Sequence, residues 1–318
     1  MPTRLLPTTG TRGLRRVTGV ALTAFLLVGA ASLGLSGCTA GSGQGPGQAG
    51  GGTASATPVP TTPDPVAADV LTSGTALSVN GVAVHALTVP GTTAAPSPQP
   101  DGSVRIALEP SAAAGTAPTT GATPAGTADP GASSGPLAWL TGPVGSTVAV
   151  LEDGSAVISA AGGGFLVGLS APVPNARFSV VGTPAAMLRV DRLAPDALAS
   201  ADPAAPVTTW LSGTAVVSAV WGVAEGGRSL EVTPSDWART GTLAAQQALW
   251  SQLVAEQPEA DSPSMHDQLL CHVLGAAGKT TWHIEPWRPQ VDALTMLRTR
   301  CNPTQADVSA PATTPTAG

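Results

Sequence analysis

The chain has 318 residues, 42% hydrophobic but only 11% charged, with 14 Lys and Arg against 20 Asp and Glu and a net charge of −6. Four of the cations (Arg4, Arg12, Arg15, Arg16) precede residue 17, and the only Lys is Lys279. A nucleic-acid binder needs clustered cations to neutralise phosphates, so this composition argues against that class and against electrostatic docking on anionic lipid.

The first elements form an address. After Arg16 comes an uncharged apolar run from Val17 to Gly37, which ends in Leu35-Ser36-Gly37-Cys38. A basic start, an apolar stretch and small residues at the cut site make a secretory signal. The run is also long enough to span a bilayer as a helix. The terminal Leu-Ser-Gly-Cys resembles the lipobox of bacterial lipoproteins, and a polar linker follows it directly. The resemblance implies removal of residues 1–37, a diacylglycerol thioether on Cys38, and residence on the extracytoplasmic face of the cell membrane. Membrane contact is then expected through the Cys38 lipid alone.

Residues 38–68 are mostly Gly, Ser, Thr, Pro and Ala, with Asp64 the one charge. Such a segment buries too little apolar surface to offset its ordering entropy, so it reads as a tether with a reach of about 30 Å. A β-rich body is expected over 69–232. Strand-like alternation at Ala76–Val79 and Val82–Val89 flanks Asn80-Gly81, a pair that tolerates positive φ and marks a hairpin. Further short strands lie around Glu152-Asp153-Gly154 and Glu225-Gly226-Gly227. Residues 111–136 are low complexity and read as a disordered insertion. Many short strands with regular turns predict an antiparallel sandwich or barrel-like body.

After Pro234 the apolar period changes from 2 to about 3.6. Helices are predicted at 243–257, at 263–274 with Gly275 as cap, and at about 289–299. These make a small helical module over 233–303, before a disordered tail at 304–318. The fold class is therefore α+β. With Cys38 occupied by lipid, Cys271 and Cys301 are left as an even pair in an exported chain, and a disulfide between them is expected.

Chemistry-bearing residues concentrate in this module. Asp267-Gln268-Leu269-Leu270-Cys271-His272 is followed by Trp282-His283-Ile284-Glu285-Pro286-Trp287-Arg288-Pro289 and by Cys301-Asn302-Pro303. This series resembles the domain-of-unknown-function family 2599, and Ser235-Asp236-Trp237-Ala238-Arg239 resembles its upstream Trp element. The likeness covers roughly Trp221 to Pro303. His283 departs from it, because Asn is more typical there. The resemblance implies fold context and no activity.

The residues themselves offer two readings. Trp282, Trp287 and Arg288 could form a ledge for a sugar or peptide, or could cap the core of a small disulfide-tied module. His272, His283 and Glu285 could supply acid–base groups, or could brace the fold by hydrogen bonding. His266 and His272 do not share a helix face, and a third ligand for His283 and Glu285 is not evident, so no metal and no cofactor is expected. Gly131-Ala132-Ser133-Ser134-Gly135 lacks the strand and helix that a nucleophile elbow requires. Gly278-Lys279-Thr280 lacks the first glycine of a phosphate loop. The leading expectation is a lipid-anchored, non-enzymatic envelope protein that binds an envelope protein or glycan through its Trp/Arg module. The alternative is an extracytoplasmic hydrolase using His272 and Glu285.

Overall fold

A computed structural model of the chain describes residues 63–110, 133–193, 202 and 205–308. The leader with Cys38, most of the tether, residues 111–132 of the expected insertion and the tail beyond 308 lie outside the described residues. Among the described residues no helix is long and apolar enough to cross a membrane.

The β-rich body is a sandwich of two antiparallel sheets. A short helix, α1 (Ala67–Ser73), precedes them and lies where the tether was expected to end. The first sheet has the order β1-β2-β5-β10-β9, with β1 Thr75–Val79, β2 Val82–Thr88, β5 Ser133–Thr141, β9 Ala176–Val181 and β10 Met187–Leu193. The second has the order β3-β4-β11-β8-β7-β6, with β3 Thr92–Pro98, β4 Val104–Pro110, β6 Thr147–Val150, β7 Ala156–Ser159, β8 Phe165–Leu169 and β11 Val207–Ser212. β1 and β2 turn at Asn80 (φ 47°) and Gly81 (φ 83°), the two positive angles that a two-residue hairpin needs. The Asn80 side chain also accepts from Gly213 N at 2.8 Å and donates to Asp101 O at 2.8 Å, so one turn residue ties both sheets. Val84, Leu140, Leu188 and Val190 from the first sheet meet Ile106, Ile158, Val167, Leu169 and Leu211 from the second in one buried core. This inward set follows the period-2 alternation of each strand.

The chain enters this body through a fixed contact. Asp64 accepts from Trp139 Nε1 at 2.9 Å and from Arg189 Nη1 at 3.1 Å. The single charge of the expected tether is therefore a clip onto β5 and β10.

The C-terminal part has its own core. β12 (Val216–Ala224), β13 (Gly227–Pro234) and β14 (Trp282–Ile284) form a third antiparallel sheet in the order β12-β13-β14. The hairpin 216–234 thus joins the module by pairing with Trp282–Ile284, with Glu231 opposite His283. α2 (Leu243–Glu256), α3 (Pro263–Gly275) and the short α4 (Ala293–Arg298) follow the helical periodicity, whereas the single turn α5 (Gln305–Val308), with Asp307 Oδ2 accepting from Thr304 N, lies where a disordered tail was expected. Thr242, Ser262 and Asp292 cap α2, α3 and α4 by accepting from the backbone N–H three residues on. Gly275 is the last residue of α3 and Ala276 its cap, and α4 starts four residues later than the pattern suggested. Leu230, Val232, Trp237, Leu249, Leu253, Leu269, Trp282 and Ile284 fill the second core.

The two cores meet at Gly168 on the outer face of β8. A Cβ at that position would lie 2.4 Å from the Trp237 indole, so only glycine leaves the slot that the ring fills. Trp237 Nε1 donates to Trp210 O at 3.2 Å. The first turn of α2 is held by the sandwich as well, with Leu243 N donating to Asp153 Oδ2 at 2.7 Å and Ala244 N to Ser155 Oγ at 3.1 Å.

Candidate functional site

The site is built on the loop after β14. Gln268, fully buried on α3, holds that loop by its backbone: Glu285 N donates to Gln268 Oε1 and Gln268 Nε2 donates to Glu285 O, both at 2.9 Å. A side-chain amide thus replaces a missing strand neighbour and satisfies two buried peptide groups. Ser264 Oγ donates to Arg288 O at 2.8 Å one helical turn earlier. The disulfide Cys271–Cys301 closes the far end of α3 onto the turn after α4.

The Glu285 and Arg288 side chains, held in this way, face each other in the interior. Arg288 Nε donates to Glu285 Oε2 at 2.7 Å, Nη2 to Glu225 Oε2 at 2.6 Å and Nη1 to Pro303 O at 3.3 Å. The other oxygen of Glu285 accepts from Ser229 Oγ at 3.0 Å. Ser229 lies 3.3 Å from His283 Nδ1, and His283 Nε2 is 3.4 Å from Glu231 Oε2. A polar chain therefore runs across the open face of the third sheet, from Glu225 at the hairpin tip to Glu231 in mid-strand. Both carboxylate oxygens of Glu285 are thus engaged in the interior.

His272 is buried below this chain. Its Nε2–H donates to His283 O at 2.9 Å, and its ring lies parallel to that of Trp282 with centroids 6.3 Å apart. Nδ1 is buried and has no partner among the described residues. Burial pushes the ring below the ordinary histidine value, the His283 carbonyl that Nε2 meets opposes the shift, and the nearby Lys279 charge adds to it. The structure does not present His272 and Glu285 to a common pocket, since both side chains are packed and committed to other groups.

Of the expected ledge, only Trp287 is at the surface. Trp282 is fully buried and donates Nε1–H to Ala276 O at 3.0 Å. Arg288 is sealed in its ion pairs. Trp287 is 41% exposed, with the Arg288 guanidinium 4.6 Å from its ring centroid and its indole against Gly227. A Cβ at Gly227 would come within 2.2 Å of Trp287 Nε1, so the glycine gives the indole its seat on the hairpin.

Two residues that sequence reasoning passed over, Gln268 and Ser229, complete the arrangement. Gln268 stood inside the recognised string with no role, and its only signal was an uncharged polar residue on the apolar side of a helix. The upstream element is also structural. Arg239 donates to the carbonyls of Pro234, Ala277 and Thr280, and Ser235 Oγ donates to Thr214 O.

A β-sandwich thus carries a disulfide-tied module whose polar signature residues largely brace its own backbone. The family model described as a protein of unknown function (DUF2599) matches residues 216–304, which are the third sheet and its helices. Uncharacterized proteins of Mycobacterium tuberculosis and Mycobacterium bovis are each 42% identical over 83 residues, 24% of this chain and 56% of theirs. An uncharacterized protein of Mycobacterium leprae is 31% identical over 83 residues, 24% of this chain and 68% of its own length. The chain belongs to this family through its C-terminal region, and it spans about half the length of the first curated relatives it matches. No solved structure matches it.

Proposed function

We propose that the protein is a lipid-anchored, extracytoplasmic envelope protein that acts by binding, with Trp287 as the contact residue of its C-terminal module. The Arg4–Arg16 start, the apolar run and Leu35-Ser36-Gly37-Cys38 support the anchor. The observation that carries the binding reading is the contrast within one tripeptide. Arg288 is sealed in the interior while its neighbour Trp287 stands exposed on Gly227, held from below by the guanidinium. A partly exposed aromatic held in place by its neighbours is a common anchor of a recognition surface. The expected partner is an envelope protein or glycan.

The test is Trp287→Ala in a full chain that also carries Cys38→Ala, so that no lipid contributes, with the fold checked by near-UV circular dichroism and cosedimentation with isolated cell-envelope material as the readout. Binding is expected to fall about tenfold or more, the range of a central aromatic contact. Unchanged cosedimentation of a folded variant would remove Trp287 from the reading. The anchor is tested separately by Cys38→Ala, which is expected to abolish fatty-acid labelling and processing.

A further inference from the structure

A second site lies on the sandwich, away from Trp287. Along the outer face of the second sheet, Arg105 on β4 is directly opposite Trp210 on β11. The Arg105 guanidinium lies over the indole, 3.9 Å from the ring centroid. Trp210 is itself fixed, because its Nε1 donates to Ser103 Oγ at 2.9 Å. Arg189, Arg228, Arg239 and Arg288 each pair with a carboxylate, whereas Arg105 pairs with none among the described residues. This cation borders a cavity of about 390 Å³ where the sandwich meets the start of α2. Among the described residues no carboxylate lines the cavity, and its walls carry the hydroxyls of Ser97, Thr208 and Thr242; Thr208 Oγ1 donates to Val173 O and Thr242 Oγ1 accepts from Ala245 N, which leaves the first able to accept and the second able to donate. The N-terminus of α2 is already capped by Asp153, Ser155 and Thr242, so Arg105 is the un-neutralised charge of this pocket.

A guanidinium held flat on an indole loses little rotamer freedom when it binds, and its fork matches a carboxylate or phosphate. Hydroxyl-bearing walls in a cavity of this size suit a ligand that itself carries hydroxyls. We propose that the Arg105–Trp210 pocket binds an anionic saccharide, a sugar bearing a carboxylate or a phosphate. The guanidinium takes the acid group, and the Ser and Thr side chains take the ring hydroxyls. The site does not depend on Trp287 or on the lipid anchor.

The experiment is isothermal titration calorimetry of the purified full chain with glucuronate, glucose 6-phosphate, glucose and inorganic phosphate. At least one of the two anionic sugars is expected to bind, and which one identifies the acid group. Glucose and inorganic phosphate are each expected to bind at least about tenfold more weakly, because each lacks half of the recognised chemistry. Arg105→Gln is expected to lower the affinity about tenfold or more. Ala107→Glu, which adds a carboxylate to the pocket wall, is expected to do the same without touching Arg105. No heat from either anionic sugar up to about 10 mM would overturn the proposal, since affinity weaker than that is below any specific site. Equal binding of inorganic phosphate or of glucose would overturn it, and so would unchanged affinity in both folded variants.

Discussion

Arg288 and Glu285 form an ion pair at 2.7 Å whose side chains are 1% and 2% exposed, three residues apart on an irregular turn. Two charges withdrawn from water recover their desolvation cost only when every remaining donor and acceptor is engaged. Here Ser229, Glu225 and Pro303 complete the set. The pair is therefore an all-or-none brace. Glu285→Gln leaves a buried guanidinium with one largely exposed counter-charge, and the expected cost is about 3–5 kcal/mol. Glu225→Gln removes a partner that is mostly solvated and is expected to cost about 1 kcal/mol or less. Urea denaturation of the three proteins would measure both, and similar losses in the two variants would contradict the brace.

His272 makes the module sensitive to acid. Its Nε2 carries the proton given to His283 O, so Nδ1 is a bare, enclosed lone pair. Protonation would put an N–H and a charge where no acceptor waits. Burial accordingly holds the folded ring below its unfolded value. The unfolded chain then binds more protons between the folded value and about 6.5, so stability is fully present above about pH 6.5 and is lost as pH falls through that window. The urea midpoint is expected to drop on acidification, and His272→Gln is expected to flatten that slope. An unchanged slope in the variant would assign the acid sensitivity elsewhere.

The disulfide Cys271–Cys301 spans 30 residues, which include β14, the Glu285–Arg288 turn and α4. Constraining the unfolded chain over such a loop stabilises by about 3.6 kcal/mol in the chain-entropy description. Cys271→Ser with Cys301→Ser is expected to lose about that amount. Because the loop holds Trp287, reduction is also expected to weaken any binding that needs that indole. Denaturation with and without reductant, beside the double variant, checks the first point, and cosedimentation checks the second.

Local features were legible in the sequence because their causes are local. The Asn80-Gly81 turn follows from two residues that tolerate positive φ, and the start of α3 from Ser262-Pro263. The Cys271–Cys301 pairing followed from counting thiols in a chain read as exported. Sheet membership was not legible. β13 pairs with a three-residue strand about fifty positions away, and nothing in Gly227–Pro234 specifies that neighbour. The same distance problem hid the Arg105–Trp210 stack, which joins strands about a hundred residues apart. Residue type also misled at the candidate site. Glu285 and Arg288 are polar and sit in a chemistry-rich string, yet their polarity is spent on each other, while apolar Trp287 is the group left to solvent.

The slot at Gly168 bears on how portable the family region is. Trp237 belongs to residues 216–304, but its ring is sheathed by a strand that lies outside them. Three further ties at that seam, from Trp237 Nε1 and from the first turn of α2, also end on the sandwich. Cut out at its family boundaries, the module would carry a large bare indole and unsatisfied helix donors into water, a composition prone to self-association. In this chain the sandwich is thus the module's missing wall as well as its neighbour, and the two are expected to express and unfold as one cooperative piece.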